Sequence, residues 1–315
     1  MTLDATTEVE HEITVDAKPE DIYRLIAEVE NWPHLFPPSV HVEYLERGER
    51  EERIQIWATA NGNPKTWVSR RELNPEALTV RFRQEVSAPP VAAMGGTWII
   101  EPSADGGSRV RLLHDYRAVD DDPDDLAWID QAVNRNSQAE LAAMKTNAEL
   151  LGNRSDLLLT FDDTVTVDGS GADVYEFLDR AERWEQRLPH VARVALTEDT
   201  PGLQTLEMDT RTKDGSTHTT KSVRVCSAPS QIVYKQTVLP ALMTLHTGRW
   251  SIEETASGTK VTSRHTVAIN EANVESVLGA GADVDQARSF VRTALSGNSL
   301  TTLNLAKEYA ESRRH

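Results

Sequence analysis

Two short stretches bring together residues able to do chemistry. Residues 66–75 read Thr-Trp-Val-Ser-Arg-Arg-Glu-Leu-Asn-Pro, and residues 217–226 read Thr-His-Thr-Thr-Lys-Ser-Val-Arg-Val-Cys. Strand side chains alternate between two faces, so Trp67, Ser69, Arg71 and Leu73 share one face. His218, Thr220, Ser222, Arg224 and Cys226 share the corresponding face of the second stretch. A face mixing Ser and Arg suits a wet pocket, because a buried guanidinium needs partners. The competing reading is an outward face with a surface arginine. An arginine keeps its proton in proteins, which makes it an anchor rather than a proton donor. Proton traffic would then fall to neighbours such as His114 and His265, whose imidazoles titrate near neutrality. A hydrogen-bonded core histidine is the alternative for both.

Other chemistries leave no trace. There is no glycine-rich dinucleotide or phosphate loop, no His-Glu-x-x-His and no nucleophile elbow. The acidic run Asp120 to Asp125 lacks the ligand spacing of a calcium loop and reads as a helix start, where acidic side chains are favoured. One cysteine, Cys226, excludes an internal disulfide and a multi-cysteine metal site. The net charge of −17 argues against nucleic-acid binding. The cluster Arg180, Arg183, Arg187 and Arg193 reads as a solvated helix face. No apolar stretch approaches the length of a membrane span, and the polar first residues do not resemble a signal peptide. A reducing cytoplasm is the expected location, with no membrane partner.

The elements that must hold these residues occur twice. Trp32 and Trp184 lie 152 residues apart, as do Pro37 and Pro189, Gln84 and Gln236, Gly96 and Gly248, and Trp98 and Trp250. Ser69/Ser222 and Arg71/Arg224 are one residue further apart, and His114/His265 one residue closer. A period this long marks duplication of a whole domain, not a solenoid repeat. Each copy begins with an alternating strand; in the first, Val9, His11, Ile13 and Val15 take one face. A short helix follows, with Asp16 as a candidate cap and Pro19 in its first turn. Turn signals such as Asn74-Pro75 and Pro89-Pro90 then separate five to six strands. A long helix closes each copy, over 123–151 with Gly152 as candidate C-cap, and over 283–312. Extra residues around 270–281 precede the second one. Domains of 1–152 and 153–315 are therefore expected, of the α+β class, each a curved antiparallel sheet wrapped around its long C-terminal helix.

That order is the helix-grip order of START and Bet v 1-like domains. The segments Trp32-Pro-His-Leu-Phe, Thr66 to Pro75 and Met94-Gly-Gly-Thr-Trp-Ile resemble the aromatase/cyclases of bacterial aromatic polyketide assembly, and duplication points to their two-domain subclass. The resemblance covers nearly the whole chain. It implies first-ring closure, between carbons 7 and 12, of a poly-β-ketone carried on an acyl carrier protein, with dehydrative aromatisation. It also implies the minimal polyketide synthase as partner, and no metal or organic cofactor. A homodimer stays open. The family's pocket arginine maps to Arg71, which would hold a carbonyl or developing enolate oxygen. Arg224, Ser69, Ser222, His114 and His265 complete the candidate catalytic set.

The cavity walls would draw on Trp32, Trp57, Trp67, Met94, Trp98 and Tyr116 in copy one. In copy two they would draw on Trp184, His218, Thr220, Tyr234, His246 and Trp250. The recurring pairs Trp32/Trp184 and Trp98/Trp250 fit packing as well as contact. Trp57 and Trp67 occur only in copy one and favour a flat aromatic lining there, whereas His218 and His246 are particular to copy two. His11, His34, His41, His190 and His315 read as surface residues. A non-catalytic carrier of polyketide or lipid remains the alternative, as does a division into one enzyme copy and one scaffold, because fold alone does not separate them.

Overall fold

A computed structural model of the chain describes residues 6–60, 62–211 and 215–314; His315 lies outside them. The chain forms two compact units, Met1–Arg154 and Ser155–His315.

Unit 1 contains β1 (Thr7–Val15), α1 (Pro19–Ala27), α2 (Trp32–Leu35), β2 (Ser39–Arg47), β3 (Glu51–Ala60) and β4 (Asn63–Asn74). It continues with β5 (Thr79–Gln84), β6 (Val91–Pro102), β7 (Ser108–Ala118) and α3 (Pro123–Asn153). The seven strands form one sheet in the order β1-β7-β6-β5-β4-β3-β2, with every neighbouring pair antiparallel. Exposure along β1 alternates residue by residue, as the sequence period requires. Ile22 and Ile26 of α1 pack with Trp98, Val110 and Leu112 of the sheet, and with Leu141 and Met144 of α3. The long helix thus lies on the concave face, and the gap between helix and sheet is where a ligand would sit.

Unit 2 repeats this plan with β8 (Leu158–Val167), α4 (Gly171–Asp179), α5 (Trp184–Arg187), β9 (Val191–Thr200), β10 (Leu203–Arg211) and β11 (Thr217–Ser227). It ends with β12 (Gln231–Val238), β13 (Met243–Thr255), β14 (Gly258–Ile269), α6 (Val274–Leu278) and α7 (Val284–Ser312). Its sheet order, β8-β14-β13-β12-β11-β10-β9, is that of unit 1. Val174 and Leu178 of α4 meet Trp184, Trp250, Val261, Leu303 and Ala306 in its core. The additional α6 is the extra segment anticipated around 270–281.

The helix ends follow local chemistry. Asp122 accepts from the backbone of Asp124 at 2.9 Å and Asp125 at 3.0 Å, so the acidic run starts α3. Asp283 and Gln286 form a capping box at the start of α7. Two expected caps are corrected. Lys18, not Asp16, precedes α1, without a side-chain cap bond. Helix α3 runs through Gly152 to Asn153, because no left-handed turn is imposed there.

Candidate active site

Both arginines reach from the sheet to the end of the first helix of their unit. Arg71 donates from Nη2 to Ile26 O at 2.9 Å and from Nη1 to Ala27 O at 3.1 Å. These carbonyls end α1 and have no helical donors of their own. Its guanidinium lies 5.2 Å from the Trp32 ring. Arg224 donates from Nη2 to Leu178 O at 2.7 Å, near the end of α4, and sits 5.1 Å from the Trp184 ring. Trp32 and Trp184 donate their indole N–H groups to Ile26 O and Phe177 O.

There the likeness stops. Arg71 is 1% exposed and pairs at 3.1 Å with Glu52, itself buried. The wet pocket expected around Arg71 is therefore corrected: its charge is matched by a carboxylate of its own unit. Burial pushes the Glu52 carboxyl up although Arg71 opposes this. Arg224 is equally buried, yet no carboxylate among the described residues pairs with it, and its Nη1 has no partner. Arg70, of opposite parity, is exposed and pairs with Glu85.

Unit 2 encloses a cavity of about 410 Å³. Its wall includes Trp184, His218, Thr220, Ser222, Arg224, Tyr234, His246, Trp250 and His265, all nine residues singled out in copy two. Sequence reasoning missed Gln236, Ser263, Asn298, Ser299 and Thr302, and it misplaced His190, which lines the cavity rather than the surface. Gln84/Gln236 was visible as a repeat marker, but its inward direction was not. The mouth carries Val277 of α6 and Phe290 of α7, both exposed.

A polar chain crosses this wall. Trp250 Nε1 donates to Ser263 Oγ at 2.8 Å, and Ser263 Oγ meets His265 Nε2 at 3.2 Å. His265 Nδ1 meets His246 Nε2 at 3.0 Å and the Tyr234 hydroxyl at 3.3 Å. An indole can only donate, so the Ser263 hydrogen is free to go to His265 Nε2. The His265–His246 pair has two tautomeric settings, His265 Nδ1 donating to His246 Nε2 or the reverse, and the chain ends in either case at His246 Nδ1. That atom is buried and without a protein partner. Two polar atoms of wall residues, His246 Nδ1 and Arg224 Nη1, are thus buried without a protein partner, a costly state that a ligand's polar atoms would relieve. Burial lowers His246 to about 3 and His265 to about 4, so both imidazoles are neutral at pH 7.

Gly248 makes room for the chain: a Cβ there would stand 2.1 Å from Cζ of Tyr234. In unit 1, Gly96 admits Phe82 in the same way, with its Cζ at 2.7 Å. The counterparts of Tyr234, His246 and Ser263 are Phe82, Met94 and Leu112. Unit 1 therefore keeps one imidazole, His114, bonded to Ser137 Oγ at 3.2 Å and lowered by burial to about 4. Its other candidates are bound to protein. Ser69 donates to Arg83 O at 3.1 Å, and fully buried Tyr116 donates to Asp130 at 2.6 Å. Met94 packs against the cluster containing Tyr116, and Trp98 lies 5.9 Å from the Phe36 ring. Trp67 joins Ile54 and Ile56 on the inner face. Trp57 is corrected: it has the opposite parity from those isoleucines and stacks on His41 at 5.3 Å. His41 is buried rather than on the surface.

The low imidazole values have a consequence for stability. A histidine whose folded value is depressed stabilises the fold above its unfolded value near 6.5, and that contribution is lost as pH falls toward the folded value. For His265 alone this amounts to roughly 3 kcal/mol. The thermal midpoint should therefore drop between pH 6.5 and 4, and His246→Met, which installs the residue of unit 1, should flatten part of that drop. A midpoint independent of pH over this range would contradict the buried neutral pair.

A curved sheet gripping a long helix, built here in duplicate, with a charged anchor and neutral imidazoles lining the cavity of unit 2, defines a helix-grip enzyme class. Models of the family described as polyketide cyclase/dehydrase and lipid transport match residues 6–149 and 167–289. A bifunctional cyclase/dehydratase of the granaticin polyketide synthase of Streptomyces virginiae is 49% identical, over 93% of this chain and 97% of the relative. The corresponding actinorhodin protein of Streptomyces coelicolor is 46% identical, over 95% of each. Among solved structures, the di-domain ARO/CYC BexL from the BE-7585A pathway matches with TM-score 0.93 and 60% identity, over 98% of this chain and 100% of that one. The di-domain ARO/CYC StfQ from the steffimycin pathway matches at 0.88 and 35%, over 97% and 99%. The chain belongs to the polyketide cyclase/dehydrase family.

Proposed function

We propose that the chain closes the first ring of a poly-β-ketone between carbons 7 and 12 and dehydrates the product to an aromatic ring. The substrate arrives on an acyl carrier protein from a minimal polyketide synthase, in the cytoplasm. The observation that carries this reading is the unpaired Nη1 of Arg224 in the wall of an enclosed cavity. Methylenes flanked by two carbonyls are already acidic, so the difficulty lies in choosing which carbons meet. A cavity that holds the chain bent makes that choice by proximity. Arg224 holds the oxygen on which enolate charge develops. Tyr234, His246 and His265 offer a path for the proton that leaves the methylene and the one that accompanies departing water. Unit 1 serves this reading as scaffold, because Glu52 occupies its arginine.

Reconstitution with a minimal synthase, with and without a ketoreductase, tests it through product masses and NMR. Addition of the chain should replace shunt products by one aromatic-ring product. A carrier is the second reading, favoured by the largely apolar wall. It requires an unchanged product spectrum and ligand affinity that survives Arg224→Ala.

A further inference from the structure

The two arginines face different residues at one register position. Glu52 of β3 is the cross-strand partner of Arg71, and Gln204 of β10, 152 residues on, is the cross-strand partner of Arg224. The rest of the arrangement is kept: one helix-end carbonyl at Nη2, Ile26 or Leu178, and one tryptophan ring just over 5 Å away. What changes is Nη1. In unit 1 it donates to Glu52 and to Ala27 O, both at 3.1 Å, leaving Nε without a partner, and in unit 2 Nη1 has no protein partner. Gln204 makes no hydrogen bond to it: Nε2 donates to Asp179 Oδ1 at 3.3 Å and to Glu198 Oε2 at 2.8 Å, and Oε1 is buried without a partner. Asp179 stands where unit 1 has Ala27.

We infer that Gln204, held aside by Asp179 and Glu198, keeps Arg224 open to an anionic substrate oxygen, and that Glu52 fills the same position in unit 1. This rests on the enolate role proposed for Arg224. Gln204 acts through the arginine and is a positioning residue. An amide at 204 satisfies two neighbouring acids without bringing a charge of its own. A carboxylate there would be drawn to the guanidinium and pushed off by those acids. The titratable groups facing position 204 are Arg224, Asp179 and Glu198, with Tyr175 and Cys226 in the same electrostatic neighbourhood.

The test transplants the unit 1 arrangement into unit 2 of the full chain, as the double variant Asp179→Ala, Gln204→Glu. In the reconstituted assay near pH 7.5 its correctly cyclised product should fall about 10²-fold, the loss typical of one oxyanion donor. The deficit relative to wild type should narrow as pH falls and the new carboxyl takes a proton. A merely structural role for Gln204 would not produce that pH dependence. Asp179→Ala alone removes one of the two acids that hold the amide, so it should lose less than the double variant, and its deficit should not narrow with falling pH. Glu52→Gln should lower the thermal midpoint without changing the products. If the double variant does not fold, Gln204→Glu alone must show the same narrowing deficit. A folded protein bearing Gln204→Glu that makes the wild-type product at every pH overturns the inference. Arg224→Ala in the same assay separates the two failures. Diversion there, with none from Gln204→Glu, sinks only this inference. A wild-type spectrum from Arg224→Ala sinks the proposed function itself.

Discussion

Replacing Arg71 by alanine should lower the stability of unit 1 by about 3–5 kcal/mol, because it strips the only ion-pair partner found for Glu52 among the described residues and leaves a buried acid uncompensated. Ala27 O loses its arginine donor in the same change, and Ile26 O keeps only the Trp32 indole. For a unit of this size the corresponding drop in thermal midpoint is roughly 10 °C. Glu52 would answer by taking up a proton, which softens the loss at low pH. Arg71→Lys should recover only part of it, since a point charge cannot serve two helix carbonyls and a carboxylate with the geometry of a planar fork. The measurement is thermal unfolding of each variant followed by circular dichroism. A midpoint within about 2 °C of wild type would mean that the pair contributes little. The sequence alone suggests a wet-pocket arginine with no buried acid depending on it. Glu52 is the reason for the change.

Replacing Arg224 by alanine should act on chemistry before stability. No acid is left unpaired, and one helix carbonyl loses a donor, a cost of about 1–2 kcal/mol. The rate of directed ring closure should fall roughly 10²–10³-fold, slow enough for spontaneous closure to compete. The product mixture should therefore shift to mis-cyclised shunt compounds, while Arg71→Ala, assayed at a temperature where it stays folded, keeps the wild-type product. Arg224→Lys should restore part of the selectivity. Mass spectrometry and NMR of the reconstituted mixture decide the matter. Accumulation of a cyclised but unaromatised intermediate would instead place the arginine at the dehydration step. An unchanged mixture from both alanine variants would favour a carrier.

The fold was legible because both levels of periodicity agree. Alternation marks the strands, a longer apolar stripe marks the closing helices, and a 152-residue offset shows that the plan is used twice. The second cavity was legible for a related reason: parity on β11 put Ser222 and Arg224 on one face, and copy-specific histidines stood out against their apolar counterparts. Partnership across strands was not legible. Glu52 and Arg71 are brought together by the register of β3 on β4, and sequence spacing does not fix register. Trp57 was assigned by residue type when its parity, opposite to Ile54 and Ile56, already placed it on the other face. Ser299 escaped notice because its unit 1 counterpart, Ser137, is tied to a histidine and gave no hint of a cavity. The irregular register between Ser39 and His41 likewise hid the burial of His41.

Helix α6 turns the second cavity into a measuring rod. Unit 1 passes from β7 to α3 through four residues, 119–122, whereas unit 2 inserts α6 between β14 and α7 and sets Val277 on the rim beside Phe290. On the proposed function the carrier's arm stays outside that rim, so carbons are counted inward from it, and the carbonyl that reaches Arg224 is fixed by depth. Ring position then becomes a length, set by where the threshold stands and not by any group that reacts. Shortening the 270–281 segment would move the threshold while leaving Arg224, His246 and His265, all on sheet strands, in place, and the same arginine would close a different ring.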